Sequence, residues 1–317
     1  MASILPVFVP HEGCPCRCVF CNQNTIAGQT GRMTAARARQ QLLEGLSRLP
    51  AGSRPQAAFY GGSFTAIDEG QQEELLAVTD ALIEQGRLSE VRLSTRPDAI
   101  TPEILARLRQ HHVTTVELGA QSMDDTVLLL SGRGHTAEDT RRAAQQIRAA
   151  GISLILQTMV GLPGDTRETV RRTAQEIAGL RPDGVRIYPV VVLPGTELHE
   201  QYRRGEYCAL EPNVAAEWCA DMLEVFQRED IRVIRVGLNP SEELHTQAVA
   251  GAYHPAMGEL AYNALWYRRL RAWLLSGAGN VLDVPARELS RAIGQKRCNL
   301  LRLRAEFPDR KIQIKAR

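Results

Sequence analysis

The sequence predicts an α/β chain built on a parallel sheet, and three observations carry that prediction. Short β-branched or apolar runs alternate with longer stretches of helical periodicity, six times in succession. Glycine and polar motifs fall just after those short runs. The composition is that of an ordinary globular protein, 44% hydrophobic and 23% charged over 317 residues, with no apolar run long enough to span a membrane. Periodicity leaves a doubly wound sheet and a full or partial barrel both open. In either, ligands meet the C-terminal ends of the strands.

The strands are expected at 6–9 (PVFV), 56–60 (QAAFY), 90–94 (EVRLS), 114–118 (TTVEL), 153–160 (SLILQTMV) and 184–192 (GVRIYPVVV). Helices are expected between them, each with a start signal. Thr34, Asp68 and Thr136 precede periodic runs as N-caps, Thr101-Pro102 places proline at a first helical position, and Asp165 leads the fifth run. The chemistry-bearing motifs then fall at one end of the sheet. Cysteines follow the first strand, GGSFT (61–65) the second, TRP (95–97) the third and GAQS (119–122) the fourth, and GLPG (161–164) closes the fifth. Any one of these is ordinary turn chemistry, but five at one face mark a site.

After Pro194 the pattern changes to a helix-like stretch at 213–229, another strand at 231–238 and a basic end. The expected organisation is a core over 1–200 and an extension over 201–317 packed on it. From Arg287 to Arg317 ten basic residues stand against three acidic ones, a net +7, so the other 286 residues carry −5. All three lysines (Lys296, Lys311, Lys315) lie in this tail. Clustered cations of this kind form either a solvated face or a nucleic-acid contact.

The segment HEGCPCRCVFC (11–21) holds four of the seven cysteines. Crowded thiols in a large chain read as metal ligands rather than a disulfide framework. Structural zinc wants four ligands, and no second cysteine pair exists, although His11 offers a fourth. Cys14, Cys18 and Cys21 form Cys-x3-Cys-x2-Cys, which suits an iron–sulfur cluster with one iron left open.

That triplet, with Phe20 before its last cysteine, resembles the signature of the radical S-adenosylmethionine superfamily. YGGSFT, VELGAQSMDDTVL with GRGHT, and TMVGLPGDT are similar to that family's other elements in order and spacing. The likeness extends through IYPVVVLPGTELHEQYRRGEY (187–207) to RVGLNP (235–240), where it is strongest to the radical domain of the Elongator catalytic subunit, a tRNA-modifying enzyme. A looser likeness is to oxygen-independent coproporphyrinogen oxidases. The resemblance covers roughly residues 5 to 240 and carries no acetyltransferase domain with it.

The resemblance implies a partial (β/α)6 TIM-type barrel with a C-terminal α/β extension. It implies a [4Fe–4S] cluster on Cys14, Cys18 and Cys21, with Cys16 a spectator. It implies reductive cleavage of S-adenosylmethionine to methionine and a 5′-deoxyadenosyl radical that abstracts hydrogen from a substrate. The backbones of Gly61, Gly62 and Ser63 would meet the methionine amino group. Thr95, Gln121, Arg133 and Gln157 would line the cofactor pocket, with Arg133 on the carboxylate because its fork binds bidentately. Met159 and the GLPG turn would shape the adenine side, and Phe20 would pack on adenine.

Tyr188, Glu117, Arg96 and His135 sit near the strand ends, and Tyr253 and His254 lie in the extension; each reads as a structural residue. The expected substrate is tRNA or other RNA, met through the basic tail. A small molecule such as a tetrapyrrole, and a cluster- or haem-binding chaperone without catalysis, are the alternatives. A reducing partner of flavodoxin or ferredoxin type is implied, and the N-terminal ILPVFVP lacks the features of a secretory signal, so the expected compartment is the cytoplasm.

Overall fold

In the computed structural model, residues 3–9, 12–14, 18–22 and 31–317 are described; His11 and Cys16 lie outside them. Seven strands form one parallel sheet: β1 (Ile4–Val9), β2 (Gln56–Gly61), β3 (Val91–Thr95), β4 (Val113–Gln121), β5 (Ser153–Val160), β6 (Gly184–Pro189) and β8 (Val233–Val236). They lie side by side in chain order, and β1 does not pair with β8, so the sheet curls into an open partial barrel of TIM type. The strand expected at 231–238 is therefore not part of a separate layer. It forms the last rung of the barrel, its Val185↔Val233 and Arg186↔Arg235 pairs set by β6.

Strand alternation divides the side chains. Val7, Phe59, Leu93, Leu118, Leu156 and Ile187 face outward into one continuous core under the helices. The opposite face of the sheet, which lines the bore, carries Tyr60, Arg92, Glu117, Gln157 and Arg186. This face is more polar than the outer one, although Ile155 is buried on it and Phe8 lies against Tyr60.

The expected caps form, and each is worth roughly 1 kcal/mol. Thr34, Asp68 and Thr101 accept from the backbone N–H three residues on, and Thr136 closes a capping box with Asp139. The fifth run departs from expectation. Thr166, not Asp165, caps the helix Arg167–Gly179, and Asp165 turns back to accept from the N–H groups of Gly161 and Leu162 at 3.0 and 3.3 Å. Its carboxyl, pushed up to about 6 by burial, closes the GLPG turn.

The run 184–192 also divides. β6 ends at Pro189, which lacks the N–H a continuing ladder needs, and β7 (Val191–Val192) pairs instead with β9 (Ala250–Gly251) in antiparallel fashion. The helix Pro212–Arg228 starts with proline at its first turn and packs between the helices Arg167–Gly179 and Met257–Leu275. Asp221, 2% exposed, ties the three helices together by accepting from Arg167 (2.5 Å), Arg171 (3.2 Å) and Arg268. Burial alone would raise its carboxyl, but the three guanidiniums outweigh that and hold it below the usual carboxylate range.

The 19-residue helix Met257–Leu275 serves two cores. Ala261 and Leu265 join the barrel core, while Tyr267, Leu270 and Leu274 meet Leu282, Val284, Leu303 and Ile312 in a second one. Leu282 and Val284 lie on β10 (Val281–Val284), which pairs in parallel with β11 (Gln313–Ala316).

Candidate functional site

A cavity of about 300 Å³ opens at the C-terminal ends of the strands. Cys14, Cys18, Phe20 and Cys21 line one wall; Gly61, Gly62 and Ser63 come from the end of β2, Gln121 and Gln157 from β4 and β5, and Arg133 from the segment after β4. Of the expected site residues, only Met159 does not line it. Met159 packs with Phe20 and Val19 against an apolar cluster around Val127, Leu162 and Leu198.

The cysteine segment is pinned from several sides. Gly62 N–H donates to Val9 O at 2.7 Å, and Ser63 N–H donates to Glu12 O at 3.0 Å. Val19 N–H reaches Ser131 O at 3.1 Å, and Asn22 Nδ2 donates to Pro194 O at 2.8 Å. The approach of the two backbones is close enough to require glycine. A Cβ on Gly62 would stand 2.2 Å from Glu12 O, and one on Gly13, whose φ is +72°, would stand 2.3 Å from Ser63 O. The double glycine of GGSFT is thus a seat for the cysteine segment as well as a wall of the cavity.

The thiols meet specific partners. Ser63 Oγ lies 3.4 Å from Cys14 Sγ, and Arg133 Nη1 donates to Cys18 Sγ at 3.1 Å. Arg133 is buried rather than a surface residue; its Nη2 donates to Gly119 O at 2.6 Å, and Arg96 Nη2 donates to Arg133 O at 2.8 Å. Among the described residues, no three thiol, imidazole or carboxylate groups converge closely enough to hold one metal ion. Cys14, Cys18 and Cys21 line one cavity.

Gln121 ends β4 in the left-handed region, φ +66°, where the β4–β5 register skips Ala120. A non-glycine residue held there stores roughly 1–3 kcal/mol of strain. Its Oε1 is a buried acceptor with no hydrogen-bond donor among the described residues. An orphaned carbonyl in a cavity wall costs roughly 1–3 kcal/mol unless a ligand supplies the donor. The expectation that GAQS follows the strand is corrected here, since β4 itself carries Gly119 and Gln121 into the site.

The third strand end is also resolved by alternation. Thr95 faces the core side; its hydroxyl donates to Thr65 Oγ1 at 2.6 Å, and Thr65 donates on to Ala99 O. Ser94 and Arg96, one residue to either side, also line the cavity. Ser94 was not anticipated as a site residue and Arg96 was read as structural; the period-two rule applied outward from Arg92 would have found both.

Of the remaining candidates, Glu117 is fully buried in the bore and saturated with donors. Arg186 Nε donates at 2.8 Å, Tyr60 OH at 2.7 Å and Gln157 Nε2 at 3.4 Å, while Arg92 stands at 3.7 Å. His254 Nδ1 accepts from Ala256 N–H at 3.1 Å, and Tyr253 lies against His245, so both are structural.

His135 is 5% exposed, and burial, aided by the charge of Arg133, lowers its imidazole to about 4. Its Nε2 lies 3.3 Å from Ala120 O, which fits a neutral ring donating there. Because the folded value is depressed from about 6.5, protonation favours unfolding, and stability is lost as pH falls below 6.5. Between pH 7 and pH 5 this one group should cost about 2 kcal/mol. His135→Gln should flatten the acid limb of a denaturant-melt series by that amount; an unchanged limb would contradict the buried neutral assignment.

Comparisons with known proteins bear on this arrangement. A family model described as the Radical SAM superfamily matches residues 8–177, and a Radical_SAM C-terminal domain model matches residues 182–266. A tRNA uridine(34) acetyltransferase of Methanocaldococcus infernus is 31% identical over 182 residues, 56% of this chain and 33% of that one. The mitochondrial radical S-adenosyl methionine domain-containing protein 1 of Bos taurus is 30% identical over 238 residues, 73% of this chain and 53% of that one. The chain thus spans a third to about half the length of these relatives. Among solved structures, the archaeal Elp3 of Methanocaldococcus infernus superposes with a TM-score of 0.66 at 23% identity, over 87% of this chain and 63% of that one. Coproporphyrinogen III oxidase of Escherichia coli superposes with a TM-score of 0.54 at 19% identity, over 72% of this chain and 52% of that one.

Proposed function

The chain belongs to the radical S-adenosylmethionine superfamily of enzymes, and from that premise we propose that it binds a [4Fe–4S] cluster on Cys14, Cys18 and Cys21 and cleaves S-adenosylmethionine reductively to act on RNA. The observation that carries the reading is the single cavity shared by those thiols, the Gly61-Gly62-Ser63 backbone, Gln121 and Arg133. The residues fit the cluster. Three thiols on one cavity of about 300 Å³ suit a cube of iron and sulfur, whereas a structural zinc ion needs four ligands. The orphaned Oε1 of Gln121 adds an acceptor for a second bound group.

When bound, the cluster supplies the electron that opens S-adenosylmethionine to methionine and a 5′-deoxyadenosyl radical, which takes a hydrogen atom from the substrate. The chain's own residues bind, orient and exclude. The cysteine thiolates anchor the cluster, and Gly62 lets their segment seat against β2. Gly61, Gly62 and Ser63 offer main-chain groups to the methionine amino end. Phe20 gives the apolar side on which an adenine ring packs, and Met159 supports it through the apolar cluster they share.

In this reading Arg133 binds the methionine carboxylate. Its guanidinium is planar and forked, so lysine cannot reproduce two parallel hydrogen bonds. Arg133→Lys should weaken S-adenosylmethionine binding to the cluster-loaded protein about tenfold by equilibrium dialysis. Normal affinity would contradict the assignment.

The RNA substrate draws on the tRNA-acting relative and on the basic tail. The fold consumes part of that tail: Arg302 stacks on Tyr267, Arg291 on Tyr262, and Arg304 and Arg310 donate to main-chain carbonyls. Arg287, Lys296, Arg297, Lys311, Lys315 and Arg317 are exposed and make no ion pair among the described residues. Cations left over in this way suit phosphates. Replacing Lys296 and Arg297 by alanine should weaken tRNA binding and reduce its log–log salt slope by about 2. An unchanged slope would remove the tail from the RNA contact. The tetrapyrrole reading has the coproporphyrinogen oxidase likeness behind it, which is one of fold alone. A reduced flavodoxin- or ferredoxin-type donor and a cytoplasmic setting complete the reading. No helix among the described residues is long and apolar enough to cross a membrane.

A further inference from the structure

The bore beneath the cavity holds more positive charge than its own residues neutralise. Glu117 is the one carboxylate among the described residues that meets Arg92 or Arg186 there, and both guanidiniums are nearly buried, at 11% and 13% side-chain exposure. Arg186 takes up Glu117 with two nitrogens, at 2.8 and 3.3 Å. Arg92 reaches it only at 3.7 Å, and its Nε is buried without a hydrogen-bond partner.

The third cation is Arg235. It stands directly opposite Arg186 in the β6–β8 register and makes no ion pair among the described residues. Like charges directly opposite on neighbouring strands repel, and a sheet has no reason to keep such a pair for its own stability. The two arginines are cross-strand partners, and such partners project from the same face of a sheet.

One rung of the sheet connects this pair to the cavity. Gly119 pairs with Gln157, Gln157 with Arg186, and Arg186 with Arg235. Gly119 and Gln157 line the cavity, and the rung then runs on to β8, the open edge of the barrel. Strands lie about 4.8 Å apart, so Arg235 is rooted about 10 Å from Gln157.

We propose that Arg235, backed by Arg186, is a subsite for an oxyanion of the substrate, a phosphate or carboxylate held about 10 Å along the rung from the reacting end. The inference rests on the reading of the cavity as the place of reaction. A bound oxyanion supplies the negative charge that the opposed arginines lack and takes a forked pair of hydrogen bonds from Arg235. Arg235 is half-buried on the edge strand β8.

The test uses the full chain without cluster or S-adenosylmethionine, so it reads independently of whether the protein cleaves that cofactor. Inorganic phosphate is titrated at ionic strength held constant with chloride, and the melting temperature is followed. The wild type should show a saturable rise, and Arg235→Gln should need about tenfold more phosphate for half of it. Without phosphate, R235Q should melt no lower than the wild type, because the substitution relieves a repulsion. If R235Q does not fold, R235K, which keeps the charge and loses the fork, should show the same weakening in smaller degree.

A tRNA transcript separates the sources. Weaker tRNA binding by R235Q, with a salt slope smaller by about 1, assigns the oxyanion to RNA. Unchanged tRNA binding with the phosphate effect lost assigns it to a small molecule. The proposal is overturned if R235Q responds to phosphate as the wild type does, if the wild type does not respond, or if the response disappears only in the Lys296→Ala/Arg297→Ala protein. Absence of 5′-deoxyadenosine from the loaded wild type would overturn the radical reading alone.

Discussion

Cys16→Ala protein should take up a full cluster and form 5′-deoxyadenosine at close to the wild-type rate, whereas Cys14→Ala, Cys18→Ala and Cys21→Ala should each fall by more than about a hundredfold. That figure is the upper end of what loss of a mere supporting contact costs a metal site, and loss of a ligand must exceed it. The asymmetry follows from spacing and surroundings together. Cys14, Cys18 and Cys21 line the cavity, with Ser63 Oγ 3.4 Å from Cys14 Sγ and Arg133 Nη1 3.1 Å from Cys18 Sγ. Cys16 falls outside the Cys-x3-Cys-x2-Cys triplet. Iron and sulfide content per chain, with 5′-deoxyadenosine by chromatography, reads both halves of the expectation. A C16A protein that loses its cluster would mean that the ligand triplet is wrong even though the family is right.

Gly62→Ala should be nearly as damaging, though it removes no functional group. The added Cβ would lie 2.2 Å from Glu12 O and 2.7 Å from Val9 O, both main-chain atoms that no rotamer change can move. Relief requires separating the cysteine segment from β2, which breaks the bonds from Gly62 N–H to Val9 O and from Ser63 N–H to Glu12 O. Overpacking of this kind costs about 1–3 kcal/mol, concentrated at the segment that carries the thiols. The expected result is a loss of at least about tenfold in iron retained after desalting, the scale on which supporting contacts act at metal sites. Gly86→Ala is the matching control. Gly86 also has a positive φ, +70°, but nothing lies within 4 Å of its Cβ position, so it should lose stability without losing iron.

The barrel and its site were readable to different depths, for physical reasons. Strand and helix starts depend on nearby residues, so Thr34, Thr136 and the SLILQTMV strand stand where the sequence puts them. The glycine and cysteine motifs were readable because a ligand at strand ends constrains short, contiguous segments. What escaped was set by long-range pairing. Asp165 looks like a helix cap, yet its carboxyl closes the preceding turn, where burial and two backbone N–H groups decide its role. The strand 231–238 belongs to the barrel only because β6 offers an unpaired edge. Glu117 finds Tyr60 and Arg186 across 57 and 69 residues of chain, separations that no local pattern records. The tail cations read alike in sequence, but aromatic rings and carbonyls supplied by the helix Met257–Leu275 and its neighbours consume some of them and leave the others exposed.

The apolar outer core and the polar bore also explain why one chain can be both stable and reactive. Buried Leu, Val and Phe side chains on the outer face hold the strands in register. That register then sets Gln157, Arg186 and Arg235 on one rung without needing favourable contacts among them. Function is placed where packing contributes least.

The most direct measurement is anaerobic loading of the chain with iron and sulfide, followed by reduction in the presence of S-adenosylmethionine and quantitation of products. The account predicts 5′-deoxyadenosine and methionine in equal amounts, dependent on the reductant and absent from the Cys18→Ala protein. A wild-type protein that holds a cluster, binds S-adenosylmethionine and yields neither product would contradict it.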